Sequence, residues 1–378
     1  MKVKLESFLQ EISEKTTEND QHPVLTSSKA GLFLQRDYFN KQVASKDNTG
    51  YKIIRRGQFT YRAMSDTGEF FPNMLECTDI GIVSPAYPVF EITKQDIVIP
   101  EFLKYFFKSD SFQHSIAAFA QGSTRTSVKF GKMKTVEITL PSVPEQRHIV
   151  EVLDRAKTVI EVREQELQKL DELVNARFVE MFGDKQSGFK YPCSKVQELT
   201  DVCSGGTPDR NNAEYWEGGT IPWVKTTELQ NNVINTVDEH ITEKGLADSS
   251  AKLVPAGSIL IAMYGQGKTR GMTAYLGIEA STNQACACIL PTEKIDMVFM
   301  WQYFVNSYNE LRNLAKGSNQ ANLNAGMIKS FPVPVPPIEL QKQYSAFVAQ
   351  VDKSKAAIQK ALEEAQTLFD SLMQQYFG

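Results

Sequence analysis

The chain has 378 residues, 42% of them hydrophobic and 23% charged, and its formal net charge is −4 at pH 7. This composition is typical of globular proteins, and the length suffices for two domains that each bury a core. No apolar run approaches the roughly 18 residues of a membrane span, and the first residues lack a signal-peptide core, so we expect neither membrane insertion nor export. The five cysteines have no paired spacing, which favours reduced thiols in a cytoplasmic protein.

The first half of the chain, residues 1–144, is predicted to be a mixed α/β domain rich in strands. Residues 57–61 predict a strand that follows a glycine turn, and residues 102–107 predict a short helix. Arg55, Arg56 and Arg62 lie around the predicted strand. A polar loop at 121–127, which contains Thr124 and Arg125, follows the short helix.

Residues 145–183 predict one long helix. Pro144 suits the first turn of a helix, and Gly183 suits its C-terminal end. Apolar side chains recur every seven residues and form a heptad seam: Leu153, Ile160, Leu167 and Val174. Arg163 and Arg177 interrupt this seam.

The second half, residues 184–337, is predicted to be a second mixed domain. Strands are predicted at 257–262 and 285–290, and a short helix at 298–304. A polar loop at 316–322 follows that helix and contains Asn319, Gln320 and Asn322. Lys225, which lies near the start of this domain, is a further cationic candidate.

Residues 262–269 formally match a relaxed phosphate-binding loop, because Gly267, Lys268 and Thr269 complete the motif. That loop needs a helix immediately after it, whose N-terminal amides hold the phosphate. The residues that follow are glycine-rich and of strand type. We therefore favour a basic hairpin or loop that includes Gln266, Lys268 and Arg270, although a nucleotide-dependent enzyme stays open as an alternative.

The end of the chain, residues 338–378, predicts a second long helix with its own seam. Prolines at 332–337 form a stiff entry. The seam consists of Val348, Ile358, Leu362 and Phe369, and Lys355 interrupts it.

The second helix repeats the first at a fixed offset of 195 residues. Gln146 recurs as Gln341, and Phe182-Gly183 recurs as Phe377-Gly378. An offset of this size indicates a duplicated domain, since solenoid repeats are far shorter. An isolated amphipathic helix would leave its seam exposed to water, so we expect the two helices to pack as an antiparallel coiled coil. About 37 residues at about 1.5 Å each would make a spacer of about 55 Å. The predicted fold class is α+β with a pseudo-two-fold internal repeat.

Catalytic and metal chemistry find little support in the sequence. The histidines at 22, 114, 148 and 240 lack ligand spacing, and Cys286 and Cys288 would share one strand face as buried thiols. No nucleophile elbow is present. We therefore expect no catalytic residues, no metal and no cofactor bound by this chain.

Recognition of DNA is the remaining prediction, because Arg, Lys, Asn, Gln and Thr side chains bind phosphates and base edges. Loops are rich in these residues in any protein, so each candidate has an ordinary structural alternative. The candidates are Arg55, Arg56, Arg62, Thr124, Arg125, Lys225, Gln266, Lys268, Arg270, Asn319, Gln320 and Asn322. We expect Arg56→Ala and Arg270→Ala to weaken DNA binding.

The chain resembles the specificity subunits of type I restriction-modification systems. The resemblance rests on Pro141–Gln146 and Pro336–Gln341, which precede the two long helices, and on Gly205–Pro208, Gly219–Trp223 and Leu253–Gly257. The first half lacks the Gly-Gly-Thr-Pro and Ile-Pro-Trp elements.

The resemblance implies two target-recognition domains, at 1–144 and 184–337, held apart by spacer helices at 145–183 and 338–378. Each domain would read one half of an asymmetric, split site in double-stranded DNA. Two modification (methyltransferase) subunits would use S-adenosylmethionine, and two restriction or motor subunits would use ATP and magnesium. A coiled-coil scaffold whose domains bind peptides is a further alternative.

Overall fold

The structure is a computed structural model that describes residues 1–38, 47–120, 126–265, 267–315 and 322–378. The chain divides into two compact units. Unit 1 consists of Met1–Gln165 and Gln359–Gly378, and unit 2 consists of Glu166–Ile358. Each long helix therefore begins in one unit and ends in the other.

Unit 1 contains short strands and helices. Its strands are β1 (Lys2–Lys4), β2 (Leu9–Ile12), β3 (Leu25–Ser27), β4 (Leu32–Leu34), β5 (Lys52–Arg55), β6 (Phe59–Thr60), β7 (Met64–Ser65), β8 (Asn73–Met74), β9 (Ile80–Val83), β10 (Val89–Ile92), β11 (Thr126–Ser127) and β12 (Glu137–Thr139). Its helices are α1 (Gln35–Tyr38), α2 (Pro100–Phe106), α3 (Asp110–Ala117), α4 (Phe130–Met133) and the first part of α5 (Val143–Phe182).

Unit 2 repeats this pattern with additions. Its strands are β13 (Gly183–Asp184), β14 (Gly188–Phe189), β15 (Cys193–Lys195), β16 (Val202–Ser204), β17 (Ile221–Val224), β18 (Asn232–Ile234), β19 (Glu239–Ile241), β20 (Ile259–Ala262), β21 (Thr273–Leu276), β22 (Ser281–Thr282), β23 (Cys286–Ile289) and β24 (Pro332–Pro334). Its helices are α6 (Val196–Leu199), α7 (Glu243–Ala247), α8 (Met297–Asn306), α9 (Tyr308–Leu314), α10 (Ala325–Lys329) and the first part of α11 (Ile338–Phe377).

The central sheets of the two units share one strand order. The sheet of unit 1 has the order β2-β10-β6-β8, and that of unit 2 has the order β16-β23-β20-β21 with β18 added at the edge. The four shared strands pair in antiparallel fashion in both units. A small ladder also recurs, because β1 pairs with β12 and β15 pairs with β24 just before each long helix. The fold is therefore a duplicated α+β architecture.

The predicted long helices are present, and α5 ends before Gly183, whose φ is +78°. A side chain at Gly183 would meet the carbonyl oxygen of Gly188, so this turn requires glycine. The seam residues differ in burial. Leu153, Val174 and Val348 are buried, whereas Ile160, Leu167, Ile358, Leu362 and Phe369 are half-buried.

Within unit 2 the two helical segments run antiparallel. Phe178 near the end of α5 stacks edge-on against Tyr344 near the start of α11, and the Tyr344 hydroxyl donates to the carbonyl of Val174 at 3.2 Å. Farther along, Lys355 pairs with Asp171 at 2.5 Å. The lysine that interrupts the predicted seam thus has an acidic partner there.

Each unit packs the end of a long helix on its own short helix. In unit 1, the ring centroid of Phe377, at the end of α11, lies 5.0 Å from that of Phe102 of α2. In unit 2, the ring centroid of Phe182, at the end of α5, lies 4.9 Å from that of Phe299 of α8. Aromatic pairs of this kind add to the hydrophobic stabilisation of a core. Among the described residues, no helix combines the length and apolarity that crossing a bilayer would require.

Candidate nucleic-acid interface

In unit 1, a hairpin connection at residues 61–72 lies beside the segment that follows α3. Thr126 and Ser127 pair with Ser65 and Met64 as a short antiparallel ladder, and the Tyr61 hydroxyl donates to the carbonyl of Val128 at 3.0 Å. The predicted strand at 57–61 is therefore β6, and its outgoing loop adjoins the end of the predicted polar loop at 121–127.

Unit 2 brings together the corresponding segments. The connection at 263–272 joins β20 to β21, and the backbone N–H of Leu323 donates to the carbonyl of Met263 at 3.0 Å. In each unit the hairpin thus contacts described residues at or just after the end of the predicted polar loop, at one edge of the central sheet. Arg62 lies in the unit 1 hairpin, and Lys268 and Arg270 lie in the equivalent unit 2 hairpin.

The structure separates the three arginines that the sequence grouped around one strand. Arg55 and Arg56 precede β6, at the opposite end of this strand from Arg62. Arg55 makes a bidentate ion pair with Glu14 at 2.5 and 2.9 Å, and this hydrogen bonding lowers the pKa of Glu14 and raises that of Arg55. Arg55 is therefore engaged within the protein, away from the hairpin.

Arg56 is engaged in a similar way. Its Nε donates to Asp79 at 2.7 Å, and its Nη1 donates to the carbonyl of Glu76 at 2.5 Å. The ion pair of Arg62 is longer, because its Nη2 lies 3.5 Å from Oδ2 of Asp66. Of the three, Arg62 alone lies at the edge where the two loop regions meet.

A polar cavity of about 850 Å³ adjoins the unit 1 hairpin. Arg62, Asp66 and Thr67 of the hairpin line it together with the rings of Tyr51 and Tyr87. Burial raises the pKa of Tyr87.

Lys225 belongs to an ion-pair cluster in unit 2. Its Nζ lies 3.1 Å from Glu239 and 3.4 Å from Asp238, and hydrogen bonding to Glu239 raises the pKa of Lys225. Glu239 also pairs with Arg210, whose guanidinium carbon lies 3.8 Å from the centroid of the Trp216 ring. Lys225 is therefore engaged in ion pairs within the protein, as Arg55 and Arg56 are.

The segment at 262–269 does not have the architecture of a phosphate-binding loop. Strand β20 leads through it to β21, which pairs antiparallel with β20. In the described residues between Thr269 and β21, no helix begins. The preferred interpretation, a basic hairpin, is confirmed. The side chains of Lys268 and Asn322 are exposed, and Arg270 is half-buried.

Five of the predicted contact residues lie outside the described residues: Thr124, Arg125, Gln266, Asn319 and Gln320. Cys286 and Cys288 share one buried strand, where Cys288 faces Cys203 across the sheet. Within the described ranges, no group of three metal-ligating side chains forms.

Sequence reasoning missed two residues near the unit 2 hairpin, Tyr308 and Arg312 of α9. The Tyr308 hydroxyl donates to the carbonyl of Lys268 at 2.7 Å, and Arg312 donates to the carbonyl of Arg270 at 2.9 Å. Tyr308 and Arg312 lie about 40 residues along the chain from the hairpin residues whose carbonyls they bind. No local sequence motif therefore indicates them. The 195-residue offset alone could have pointed to them, because it aligns α9 with α3.

Comparison with known proteins places these features in a family. A family model described as "Type I restriction modification DNA specificity domain" matches residues 12–172 and 193–366. The type I restriction enzyme EcoR124I/EcoR124II specificity subunit of Escherichia coli is 25% identical over 65% of this chain and 62% of its own length. The MjaIX specificity subunit of Methanocaldococcus jannaschii is 27% identical over 42% of this chain and 37% of its own length. The chain thus spans less than two thirds of either relative.

A solved structure supports the fold. The S subunit of a type I restriction-modification system from M. genitalium superposes with a TM-score of 0.59 and covers 100% of this chain and 96% of its own. The sequence identity is 16%, so this likeness bears on the architecture alone.

Proposed function

The chain belongs to the type I restriction-modification DNA specificity family, and on this premise we propose that it recognises a split, asymmetric site in double-stranded DNA. Unit 1 reads one half-site through its hairpin at 61–72, and unit 2 reads the other through its hairpin at 263–272. The observation that carries the proposal is the duplication of this edge. Both units join a hairpin to the segment after a short helix at the same place, with different side chains.

We further propose that the two long helices set the gap between the half-sites. Each helix has 40 residues, which corresponds to about 60 Å at about 1.5 Å per residue. The antiparallel contacts inside unit 2, between Phe178 and Tyr344 and between Asp171 and Lys355, support a coiled coil of the two helices. A DNA turn is about 34–36 Å, so such a spacer would leave base pairs between the half-sites unread.

Recognition is the proposed role of this chain, and the chemistry is assigned to partners. Two modification subunits would transfer methyl groups from S-adenosylmethionine, and two restriction or motor subunits would use ATP and magnesium. Support for paired partners comes from Leu173 of α5 and Leu368 of α11, which lie 195 residues apart and are 47% and 55% exposed. The duplication places one exposed leucine at the equivalent position of each helix, which suits two copies of one partner.

The test is to map DNA methylation in a host that expresses the chain with its modification subunits. The expected result is a gapped motif whose two parts differ in sequence. An ungapped motif, or no motif, would contradict the proposal. A second assay addresses the nucleotide alternative, because labelled ATP bound by the isolated chain and lost on Lys268→Ala would support that enzyme instead.

A further inference from the structure

The unit 2 hairpin concentrates cationic side chains that have no acidic partner. Lys268 and Arg270 lie in the hairpin, and Arg312 reaches it from α9. Among the described residues, no carboxylate lies within ion-pair distance of these three side chains, whereas Arg55, Arg56 and Arg62 of unit 1 all have one. Uncompensated cations at one surface favour a polyanionic ligand.

Helix α9 holds this hairpin through its main chain. Tyr308 donates to the carbonyl of Lys268, and Arg312 donates to that of Arg270 and, at 3.0 Å, to the Tyr308 hydroxyl. Gly271 permits this approach, because a Cβ there would lie 3.2 Å from Cγ of Arg312 and the φ of +86° is rare for other residues. The main chain that carries Lys268 and Arg270 is therefore held in place before any ligand binds.

Unit 1 holds its own hairpin from the equivalent helix without using charge. Gln113 of α3 lies 195 residues before Tyr308, and its amide donates to the carbonyl of Phe70 at 2.8 Å and accepts from the N–H of Phe70 at 3.1 Å. The residue at the position equivalent to Arg312 is Ala117. A neutral side chain is thus sufficient to fix such a hairpin, so the charge of Arg312 has another role.

Arg270 provides a second observation that favours an anionic ligand at this surface. Its Nε is buried and makes no hydrogen bond in the described part of the chain. A buried donor without a partner is unfavourable, so the half-buried guanidinium of Arg270 gains a partner for this atom if it turns towards a ligand oxygen that accepts the bond. Phosphate oxygens are the acceptors that guanidinium groups bind in pairs of hydrogen bonds.

We propose that Lys268, Arg270 and Arg312 form a phosphate clamp that binds the DNA backbone and that has no counterpart among the described residues of unit 1. This inference rests on the proposed function and adds an asymmetry to it. Unit 2 anchors the complex on phosphates with a large, sequence-independent contribution, and unit 1 contributes less of this anchoring. Contacts to phosphate fix the register of a protein on the duplex, whereas contacts to bases give the sequence preference.

The experiment measures the affinity of the full chain for a duplex that carries the mapped motif, by fluorescence anisotropy between about 50 and 300 mM KCl. Arg312→Gln is the informative variant, since it can still donate to the carbonyl of Arg270 but has no charge. We expect about tenfold weaker binding and a slope of log Kd against log salt that is smaller by about 1. Arg312→Lys should keep the slope, because it keeps the charge.

Lys244→Gln is the matched control. It removes one positive charge from the surface of unit 2, but Lys244 pairs with Glu214, so the wild-type slope is expected. A wild-type slope in Arg312→Gln would overturn the clamp. Failure of the proposed function gives a different result, because the wild-type chain would then bind motif and scrambled duplexes equally at every salt concentration.

Discussion

Gln146 and Gln341, which lie 195 residues apart, make equivalent buried hydrogen bonds in their respective units. The side-chain carbonyl of Gln146 accepts from the N–H of Ile99 at 3.0 Å, and that of Gln341 accepts from the N–H of Asp296 at 2.7 Å. Ile99 and Asp296 are the residues just before helices α2 and α8. Each amide also donates to the carbonyl of the proline five residues before it, at 3.0 and 2.7 Å. Each glutamine therefore ties the start of a long helix to the short helix of its unit.

Replacement of this glutamine should destabilise the unit that contains it. In Gln341→Leu, the N–H of Asp296 and the carbonyl of Pro336 lose their partner in a buried site, which we expect to cost about 2–4 kcal/mol of unfolding free energy. Urea unfolding followed by tryptophan fluorescence measures this loss, because Trp216, Trp223 and Trp301 all lie in unit 2. Gln168→Leu, at an exposed position in the same unit, should change stability by less than about 0.5 kcal/mol. Equal losses in both variants would contradict the tie.

The long helices and the hairpin in unit 2 could be predicted because their signals are local. Leu153 and Val174 lie on a seven-residue period, and Gly183 ends the helix where the period stops. Gly271 and Gly277, with strand-type residues between them, argue against the helix that a phosphate-binding loop needs and favour a turn between strands. In both cases the residues that decide the structure are neighbours in sequence.

The engagement of the basic residues could not be predicted, because their partners are distant in sequence. Arg56 contacts Asp79 and the carbonyl of Glu76 because the fold brings together residues that are distant in sequence. Arg312 meets the hairpin only because α9 packs beside it. A single sequence indicates which residues are cationic, but the fold determines which of them have an acidic partner.

Arg56 and Arg62 give a matched test of the proposed interface in unit 1. Both are about half-exposed and ion-paired, but they lie at opposite ends of β6. We expect Arg62→Ala to weaken binding to the mapped motif about two- to fivefold, because this residue lies at the loop edge and its pair with Asp66 is worth less than about 1 kcal/mol. Arg56→Ala should bind like the wild type, unlike the expectation from sequence alone. Anisotropy titrations measure both, and the reverse ranking would move the interface to the other end of the strand.

Asp352 provides a prediction of pH dependence in unit 2. Burial raises its pKa, the charge of Asp171 raises it further, and Lys355 opposes both. Because the pKa is raised in the folded state, the stability contributed by this carboxyl is complete below the unfolded pKa of about 3.9 and is lost as the pH rises through the folded pKa.

Asp352→Asn should therefore raise the stability of unit 2 at pH 7 and give no gain at about pH 3, which is below the unfolded pKa of about 3.9, because the carboxyl is then protonated in both the folded and the unfolded state. The pair between Lys355 and Asp171 stays available in the variant. Urea midpoints from tryptophan fluorescence at the two pH values measure the effect. An equal shift at both values would mean that packing, rather than ionisation, is responsible.

The proposed spacer role of the helices makes a quantitative prediction for the proposed gap. Deletion of seven residues around the 165/166 division of α5, together with seven around the 358/359 division of α11, removes about 10 Å from each helix. The contacts that anchor the helix ends, such as Phe178 with Tyr344 and Phe377 with Phe102, lie outside these deletions. We expect the methylated motif to keep both half-sites and to lose about three base pairs of gap, at about 3.4 Å per base pair. Deletion from one helix alone should abolish methylation, since the two helices would then differ in length. An unchanged gap in the double deletion would show that the helices do not set the spacing.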